Sequence, residues 1–204
     1  SISFLTDLFS VNNNRNIKNG IKNGKIVFDN ITFGYDKNQR AIFKDFNLTI
    51  KAKEKLAIIG PSGSGKTTLT KMLIGIHEPL NGNITIDGIN VSEIDTNYLR
   101  EKVIYVNQKT NLFDISIIDN ILYGNDDVTK EDIKNIMKKY DLFDVFGELQ
   151  NGIYSDAGVN GSNLSLGMQK VTILLRAIFK KGLVYIFDEP LSGLDTNTRR
   201  KVIK

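Results

Sequence analysis

Three glycines, a lysine and four hydroxyl-bearing residues follow one another between positions 60 and 68, in the order GPSGSGKTT. The run fits the pattern G-x-x-x-x-G-K-[ST], in which glycines let the backbone wind tightly and turn its N–H groups toward phosphate oxygens. Lys66 is placed to reach the β- and γ-phosphates, and the hydroxyl of Thr67 is placed to ligate Mg²⁺. We therefore predict a nucleotide-binding loop made of Gly60, Pro61, Ser62, Gly63, Ser64, Gly65, Lys66, Thr67 and Thr68.

Two adjacent carboxylates, Asp188 and Glu189, follow the apolar run LVYIF. A strand over this run would place both acids at its carboxyl end, where open α/β sheets bind their ligands. Asp188 suits a water bound to Mg²⁺, and Glu189 suits orienting or deprotonating a water that attacks a phosphate. The pair therefore adds a candidate hydrolytic group to the candidate phosphate site.

Strands and helices in alternation must position these residues. Three apolar runs predict buried strands: LAII (56–59), VIYV (103–106) and LVYIF (183–187). Alternating runs between residues 25 and 56 predict further strands, and NGNITIDG predicts another. Residues 129–146 predict a helix that begins with a threonine cap. This alternation predicts an α/β fold with a mainly parallel sheet, and the helical stretch between 112 and 180 predicts an inserted helical subdomain.

The composition fits one globular core, since 41% of the 204 residues are hydrophobic and 25% are charged. The absence of cysteine excludes a disulfide framework and any cysteine-ligated metal. The net charge of +4 comes from thinly spread lysines, so it does not indicate a nucleic-acid partner. No run reaches the roughly 18 apolar residues that a membrane-spanning helix needs.

Five short sequences occur in a fixed order along the chain. They are GPSGSGKTT, YVNQ with Gln108, NLSLGMQK (163–170), LVYIFDEP and LSGLD (191–195). This order resembles the nucleotide-binding domain of ATP-binding cassette (ABC) transporters, over residues 25 to 204. The resemblance implies an α/β fold with a phosphate-loop (RecA-like) core, an antiparallel β subdomain and an inserted α-helical subdomain. Three further runs resemble the exporter branch of the family: GYD (34–36), NLFDISIIDNILYG (111–124) and DAGVNGSNLS (156–165).

The resemblance also implies roles for single residues. Tyr35 would stack on adenine, and Gln108 would act as a second catalytic residue that contacts Mg²⁺ or the attacking water. The implied cofactors are ATP and Mg²⁺, with the metal held by Thr67, Gln108 and, through water, Asp188. Four residues would contact ATP bound to a second subunit: Ser165, Leu166, Gly167 and Asp195. An alternative role for Asp195 is that of a helix cap before TNTRRKVIK.

The run NLSLGMQK, called the signature below, departs from the family at two positions. Leu166 replaces a glycine, and Met168 replaces the usual glutamine. Leucine needs only ordinary helical backbone angles here. If its side chain points away from the nucleotide, the donors of Ser165 and of the backbone survive; if it points inward, it desolvates charge without offering a hydrogen bond. We expect the first arrangement, which gives a working but altered half-site.

The resemblance also implies a histidine after SGLD. No histidine follows SGLD in this sequence, so that residue either lies beyond position 204 or is lost. The only histidine, His77 in GIHEPLNG, is predicted as a surface or turn residue. The 204 residues are therefore expected to bind nucleotide better than they hydrolyse it.

The predicted function is that of the ATPase domain of a membrane exporter, in which MgATP bridges two such domains head to tail. The implied partners are a transmembrane domain and a second nucleotide-binding domain, without nucleic acid, at the cytoplasmic face of a membrane. Residues 1–24 are predicted as a helix tail and linker from a preceding, transmembrane domain. Residues 25–204 are predicted as the nucleotide-binding domain, incomplete at its C-terminal end.

Two alternatives keep the same family but change the activity. One is a degenerate regulatory cassette that binds ATP with little hydrolysis. Leu166 and the missing histidine favour this alternative. The other is a soluble ABC-type ATPase outside transport. A GTPase is a more distant reading, because NQKT (107–110) lacks the aspartate of a guanine-reading Asn-Lys-x-Asp sequence.

Overall fold

The computed structural model describes residues 15–36, 41–107 and 110–203. The predicted helix tail at 1–10 lies outside these residues. The chain divides into two compact units, one formed by Ser1–Val103 with Gly182–Ile186 and the other by Ile104–Lys181 with Phe187–Lys204. No helix among the described residues is both long enough and apolar enough to cross a membrane.

The described ranges contain six strands and six α-helices. In chain order they are β1 (Ile26–Phe33), β2 (Phe43–Ile50), α1 (Lys66–Leu73), β3 (Asn81–Ile86), β4 (Ile89–Asn90), α2 (Thr96–Lys102), β5 (Val103–Val106), α3 (Ile117–Leu122), α4 (Lys130–Lys139), α5 (Leu166–Ile178), β6 (Val184–Phe187) and α6 (Thr196–Ile203).

The first unit is built on an antiparallel sheet with the strand order β2-β1-β3-β4. The central strand β1 buries Ile26 and Phe28 and then, after a register shift, Ile31 and Phe33. Asn30 sits at this shift with a φ of 51°. The irregularity adds one residue to the alternation, so that both halves of β1 face the same core. Residues of α1 and α2 also belong to this core. The strands predicted between residues 25 and 50 and at 81–86 are confirmed.

The segment before β1 is tied to the sheet by one carboxylate. Asp87 has a φ of 53° and lies in the turn between β3 and β4. Its Oδ2 accepts the N–H groups of Lys22, Asn23 and Gly24 at 2.7, 2.7 and 3.0 Å, and its Oδ1 accepts that of Lys25 at 2.9 Å. Burial acts to raise the pKa of Asp87, but these four backbone donors outweigh it and hold the pKa below its ordinary value. The ionised carboxylate of Asp87 thus anchors residues 22–25 to the turn between β3 and β4.

The second unit is mainly helical. Thr129 caps α4 through a capping box, because its hydroxyl accepts the N–H of Asp132 while the Asp132 carboxylate accepts the N–H of Thr129. Ile133 and Met137, one turn apart, are fully buried in the core of this unit. The predicted threonine cap and helical spacing are therefore confirmed, although the α-helix ends at Lys139 and a 3₁₀ turn follows at Phe143–Phe146.

A buried polar pair fixes the stretch between β5 and α3. Asn120 is fully buried, and its side chain bonds the backbone of Phe113, Ile115 and Ser116. Arg176 of α5 donates from Nη2 to Oδ1 of Asn120 at 2.6 Å and from Nε to its carbonyl at 2.7 Å. Burial lowers the pKa of Arg176. Because every partner is polar and satisfied, the pair locks the stretch onto α5.

The three predicted buried strands meet different outcomes. β5 is confirmed as a buried strand, with Val103, Ile104 and Val106 in the interior. β6 is a strand, but it is buried on one face only: Val184 and Ile186 pack on the core of the first unit, whereas Tyr185 is exposed. Leu183, which the sequence predicts as part of this strand, precedes β6. The Leu183 N–H donates to the carbonyl of Lys102.

The prediction of a buried strand at 56–59 is wrong. These residues belong to no strand, and Ile59 is 91% exposed. A strand buried on both faces needs a hydrogen-bonded neighbour along each edge to satisfy its backbone. No assigned ladder of the described residues includes 56–59, so the apolar run stays outside the core.

We expect Asp87→Asn to lower the free energy of unfolding by about 1 kcal/mol at neutral pH, because an amide cannot accept at both of its atoms. Since the folded pKa of Asp87 lies below its ordinary value of 3.8, its contribution is complete above 3.8 and is lost as the pH falls through the lowered pKa. Denaturant unfolding between pH 7 and pH 2 measures this difference. Asp29→Asn, which changes an exposed carboxylate on β1, is the control. An equal, pH-independent effect of both variants on the free energy of unfolding contradicts the anchoring role of the Asp87 carboxylate.

Candidate functional site

The phosphate loop, residues 60–67, leads directly into α1. Gly63 and Gly65 have φ angles of 79° and 91°, which glycine adopts without strain. A Cβ on Gly65 would lie 2.7 Å from Cγ2 of Ile42 and 2.8 Å from Cζ of Phe43. Gly65 is the N-cap residue of α1, and no side chain caps the helix from that position. The packing therefore demands a glycine where the helix end is left open, and an open helix end attracts anions.

Lys66 is folded over this loop. Its Nζ donates to the carbonyls of Gly60 and Pro61, each at 2.8 Å. The Ser64 N–H donates to the same Pro61 carbonyl at 3.3 Å, which closes the turn. The loop thus carries a fixed ammonium group beside a positive helix end, an arrangement suited to the phosphates of a nucleotide.

Tyr35 lies next to α1 in the same unit. Its hydroxyl is 2.9 Å from Oγ1 of Thr68, and its ring is 63% exposed. Edge-on contacts with Phe33 and His77 hold the ring, at centroid distances of 5.3 and 5.5 Å. An exposed aromatic ring held by its neighbours offers surface to a flat apolar ligand.

His77, predicted as a surface or turn residue, does lie in a bend, but its ring is half-buried among these aromatic side chains. Burial lowers the pKa of His77, and the nearby charge of Lys71 lowers it further. The imidazole is therefore neutral at pH 7 and adds no charge beside Tyr35. Neither the ring contacts of His77 nor the Tyr35–Thr68 contact is visible in the sequence, because the partners are 33 or more positions apart.

Asp188 and Glu189 directly follow β6. The Asp188 N–H donates to the Val106 carbonyl at 3.0 Å, and Tyr105 donates from its hydroxyl to Oδ2 of Asp188 at 3.3 Å. Glu189 has a left-handed φ of 51°. A residue other than glycine holds this conformation only where its surroundings impose it.

Lys170 supplies part of that restraint. Its Nζ donates to the Glu189 carbonyl at 3.1 Å and to Oγ of Ser192 at 2.7 Å. Lys170 belongs to the signature, so α5 and the acidic residues are linked within one unit. Sequence reasoning missed both Lys170 and Tyr105 as site residues, although the quoted runs NLSLGMQK and YVNQ contain them.

The signature begins α5. Ser165 is the N-cap residue, and its Oγ accepts the Met168 N–H at 3.3 Å. Met168 is buried in the core of the second unit, which accounts for an apolar residue at that position. Leu166 is 53% exposed, and its Cδ2 would lie 2.4 Å from a Cβ added to Gly193. The side chain therefore lies against the SGLD turn, residues 192–195, of its own chain.

Asp195 caps α6. Its Oδ1 accepts the N–H groups of Asn197 and Thr198 at 2.9 and 3.0 Å. Hydrogen bonds from the Thr198 side chain and backbone hold the pKa of Asp195 below its ordinary value. The capping alternative is thus present in the structure, and a contact with a second subunit stays a prediction.

The predicted site residues fall into two groups. The phosphate loop, Thr68 and Tyr35 come together in the first unit, whereas Asp188, Glu189, the signature and Asp195 come together in the second. Gln108 lies outside the described residues. Within the described ranges no group of three or more His, Cys, Asp or Glu side chains could hold a metal ion. A Mg²⁺ that takes one hydroxyl, one carboxylate through water and phosphate oxygens needs no such group, so the donor set fits this ion.

The family model described as ABC transporter matches residues 43–192. The chain belongs to the ABC transporter family. The match includes the phosphate loop, the signature and both carboxylates, and confirms the resemblance drawn from the five ordered sequences.

Two relatives and one solved structure illustrate the similarity. The chain is 35% identical over 181 residues to the iron-sulfur clusters transporter ATM1, mitochondrial, of Debaryomyces hansenii, covering 89% of this chain and 26% of that protein. It is 36% identical over 184 residues to the ATP-dependent lipid A-core flippase of Methylobacillus flagellatus, covering 90% and 32%. The structure of a bacterial Atm1-family ABC exporter with ATP bound matches with a TM-score of 0.83 and 28% identity, covering 99% and 36%.

These similarities confirm the predicted fold class, which is that of the ABC domain of exporters. The ABC chain described here spans between 26% and 36% of the length of these three proteins. What the names of these three proteins state about cargo and energy source applies to those proteins.

We expect Lys66→Ala to raise the Kd for MgATP at least about tenfold, because it removes the ammonium group that lies on the carbonyls of the phosphate loop. Calorimetric titration of this ABC chain measures the change. Lys71→Ala, which removes a lysine from the last turn of the same helix, is the matched control and should change the Kd less than about twofold. Equal losses in both variants would show a general charge effect and contradict the role of Lys66.

Proposed function

We propose that this chain is the ATP-binding and ATP-hydrolysing domain of an ABC exporter, working at the cytoplasmic face of a membrane. The observation that carries the proposal is the phosphate loop, with Lys66 fixed on its carbonyls and the end of α1 left open by Gly65. Membership of the ABC transporter family and the exporter relatives support the wider role.

The nucleotide is expected to bind in the first unit. The phosphates lie on the N–H groups of the loop and the first turn of α1, with the Lys66 ammonium at the β- and γ-phosphates. Tyr35 stacks on the adenine with its exposed face. Thr67, Gln108 and, through water, Asp188 would hold Mg²⁺, which when bound neutralises charge on the phosphate oxygens.

Hydrolysis is assigned to Glu189. Its carboxylate orients the water that attacks the γ-phosphate and takes a proton from it, while the bond between the γ-phosphorus and the bridging oxygen breaks and ADP leaves. The left-handed backbone of Glu189 and the hydrogen bond from Lys170 to its carbonyl fix the backbone position from which the carboxylate side chain extends. Because Lys170 belongs to α5, the position of the signature helix and that of the base are coupled in one chain.

The signature completes the site of a second domain. Ser165, Leu166, Gly167 and the backbone at the start of α5 are expected to meet the γ-phosphate bound on the other copy, with Asp195 reaching across the same interface. Only the triphosphate offers this contact, so ATP favours the head-to-tail dimer and hydrolysis releases it. A transmembrane domain, in the same polypeptide or in a separate subunit, would convert closing and opening into transport.

The experiment is a Glu189→Gln variant, studied for hydrolysis and for assembly. We expect MgATP binding to persist, hydrolysis to fall at least about 100-fold, and an ATP-bound dimer to accumulate, because the amide cannot accept the proton of the water. Light scattering with and without MgATP measures the dimer, and phosphate release measures hydrolysis.

Glu148→Gln, which changes an exposed glutamate in the same unit, is the matched control and should behave as the wild type. For the wild type, the rate per molecule should rise with protein concentration, because two chains form one site. A Glu189→Gln variant that stays monomeric in saturating MgATP, or a rate independent of concentration, contradicts the proposed arrangement and favours a regulatory cassette.

A further inference from the structure

The side chain of Leu166 packs against Gly193, which has no side chain of its own. The Leu166 side chain occupies the space that a side chain on Gly193 would need, since an added Cβ would lie 2.4 Å from Cδ2 and 3.3 Å from Cγ of Leu166. Gly193 also has a φ of 77°, so its backbone conformation already favours glycine. Leu166 is one of the two residues at which the signature departs from its family, and its contact is with another part of its own chain.

The SGLD turn cannot easily move aside. Lys170 ties it to α5 through Oγ of Ser192 at 2.7 Å, and Leu194 is buried. A Cβ on Gly167 would lie 3.9 Å from Cδ2 of Leu194, which places the turn in contact range of the first turn of α5. Asp195 then fixes the far end of the turn as the cap of α6. With both ends held, a side chain at position 193 would displace Leu166 rather than the backbone.

The space into which a displaced Leu166 would move is the open end of α5. Leu166 is the first residue of this helix and directly follows Ser165, which is exposed. Leu166 is 53% exposed in its present position. An apolar side chain there would cover backbone donors and desolvate an incoming phosphate.

We propose that Gly193 is a positioning residue that keeps Leu166 off the phosphate-facing end of α5, so that a signature with leucine still serves the second copy's nucleotide. This inference rests on the proposed function. It identifies the pair formed by Leu166 and Gly193 as the reason that the substitution is tolerated.

The test compares Gly193→Ala, Leu166→Gly and the double variant in the full-length protein. We expect Gly193→Ala to lower kcat for MgATP about tenfold, with the Kd for nucleotide on the phosphate loop changed less than twofold. Adding Leu166→Gly should restore kcat to within about threefold of the Leu166→Gly variant alone, because the displaced side chain is then absent.

Backbone strain is separated by a control in the same unit. Gly152 has a φ of 51°, and a Cβ built on it meets no atom within 4 Å. Gly152→Ala therefore introduces a left-handed alanine without a collision, and kcat should change less than about twofold. A tenfold loss in this variant as well would show that strain alone accounts for Gly193→Ala.

Two other outcomes overturn the inference. If Gly193→Ala lowers kcat by the same factor with and without Leu166, the two residues act independently and the positioning role is wrong. If the pair is coupled in melting temperature but not in kcat, the contact is only packing. Failure of the proposed function looks different, because the wild type would then bind MgATP without hydrolysing it above the Glu189→Gln background.

Discussion

The backbone N–H groups in the first turn of an α-helix have no partners inside the helix, and this chain has two helices for which that fact matters. At the start of α1 the chain places Gly65, which supplies no cap and is pressed against Ile42 and Phe43. At the start of α5 it places Ser165, whose hydroxyl takes one N–H and leaves the end otherwise exposed. Both ends carry the positive pole of a helix dipole, and in the proposed function both meet the same kind of anion.

The two helix ends are supported by different means. α1 gains a positive side chain, because Lys66 bends back to the carbonyls of the loop. The first turn of α5, residues 166–169, contains no basic residue, and Lys170, one turn after Leu166, donates instead to the Glu189 carbonyl and to Oγ of Ser192. The first arrangement strengthens binding of phosphate in one chain. The second links the signature to the residue proposed as the base, so that a shift of α5 alters the geometry of Glu189.

Much of the fold could be predicted from the sequence because its signals are local. The threonine cap at Thr129 and the glycines of the phosphate loop each act over about four residues, and each is found in the structure. The fold class followed from the order of five short sequences.

What could not be predicted depends on partners far along the chain. The run at 56–59 is apolar enough for a buried strand, yet burial requires neighbouring strands that no local pattern can guarantee. The same applies to the side chain of Leu166. Its direction is settled by an absent Cβ 27 positions later, at Gly193, and the sequence alone left both directions open.

Asp195 shows how a structural and a functional role can share one carboxylate. Capping uses Oδ1 for two backbone N–H groups, and the lowered pKa keeps the group ionised at neutral pH. An ionised carboxylate has about four acceptor sites, so the cap does not exhaust it. The cap also restrains the group, because two N–H donors at fixed positions hold Oδ1 in place. A contact with a second subunit would therefore use a side chain that α6 has already positioned, at little further cost in conformational entropy.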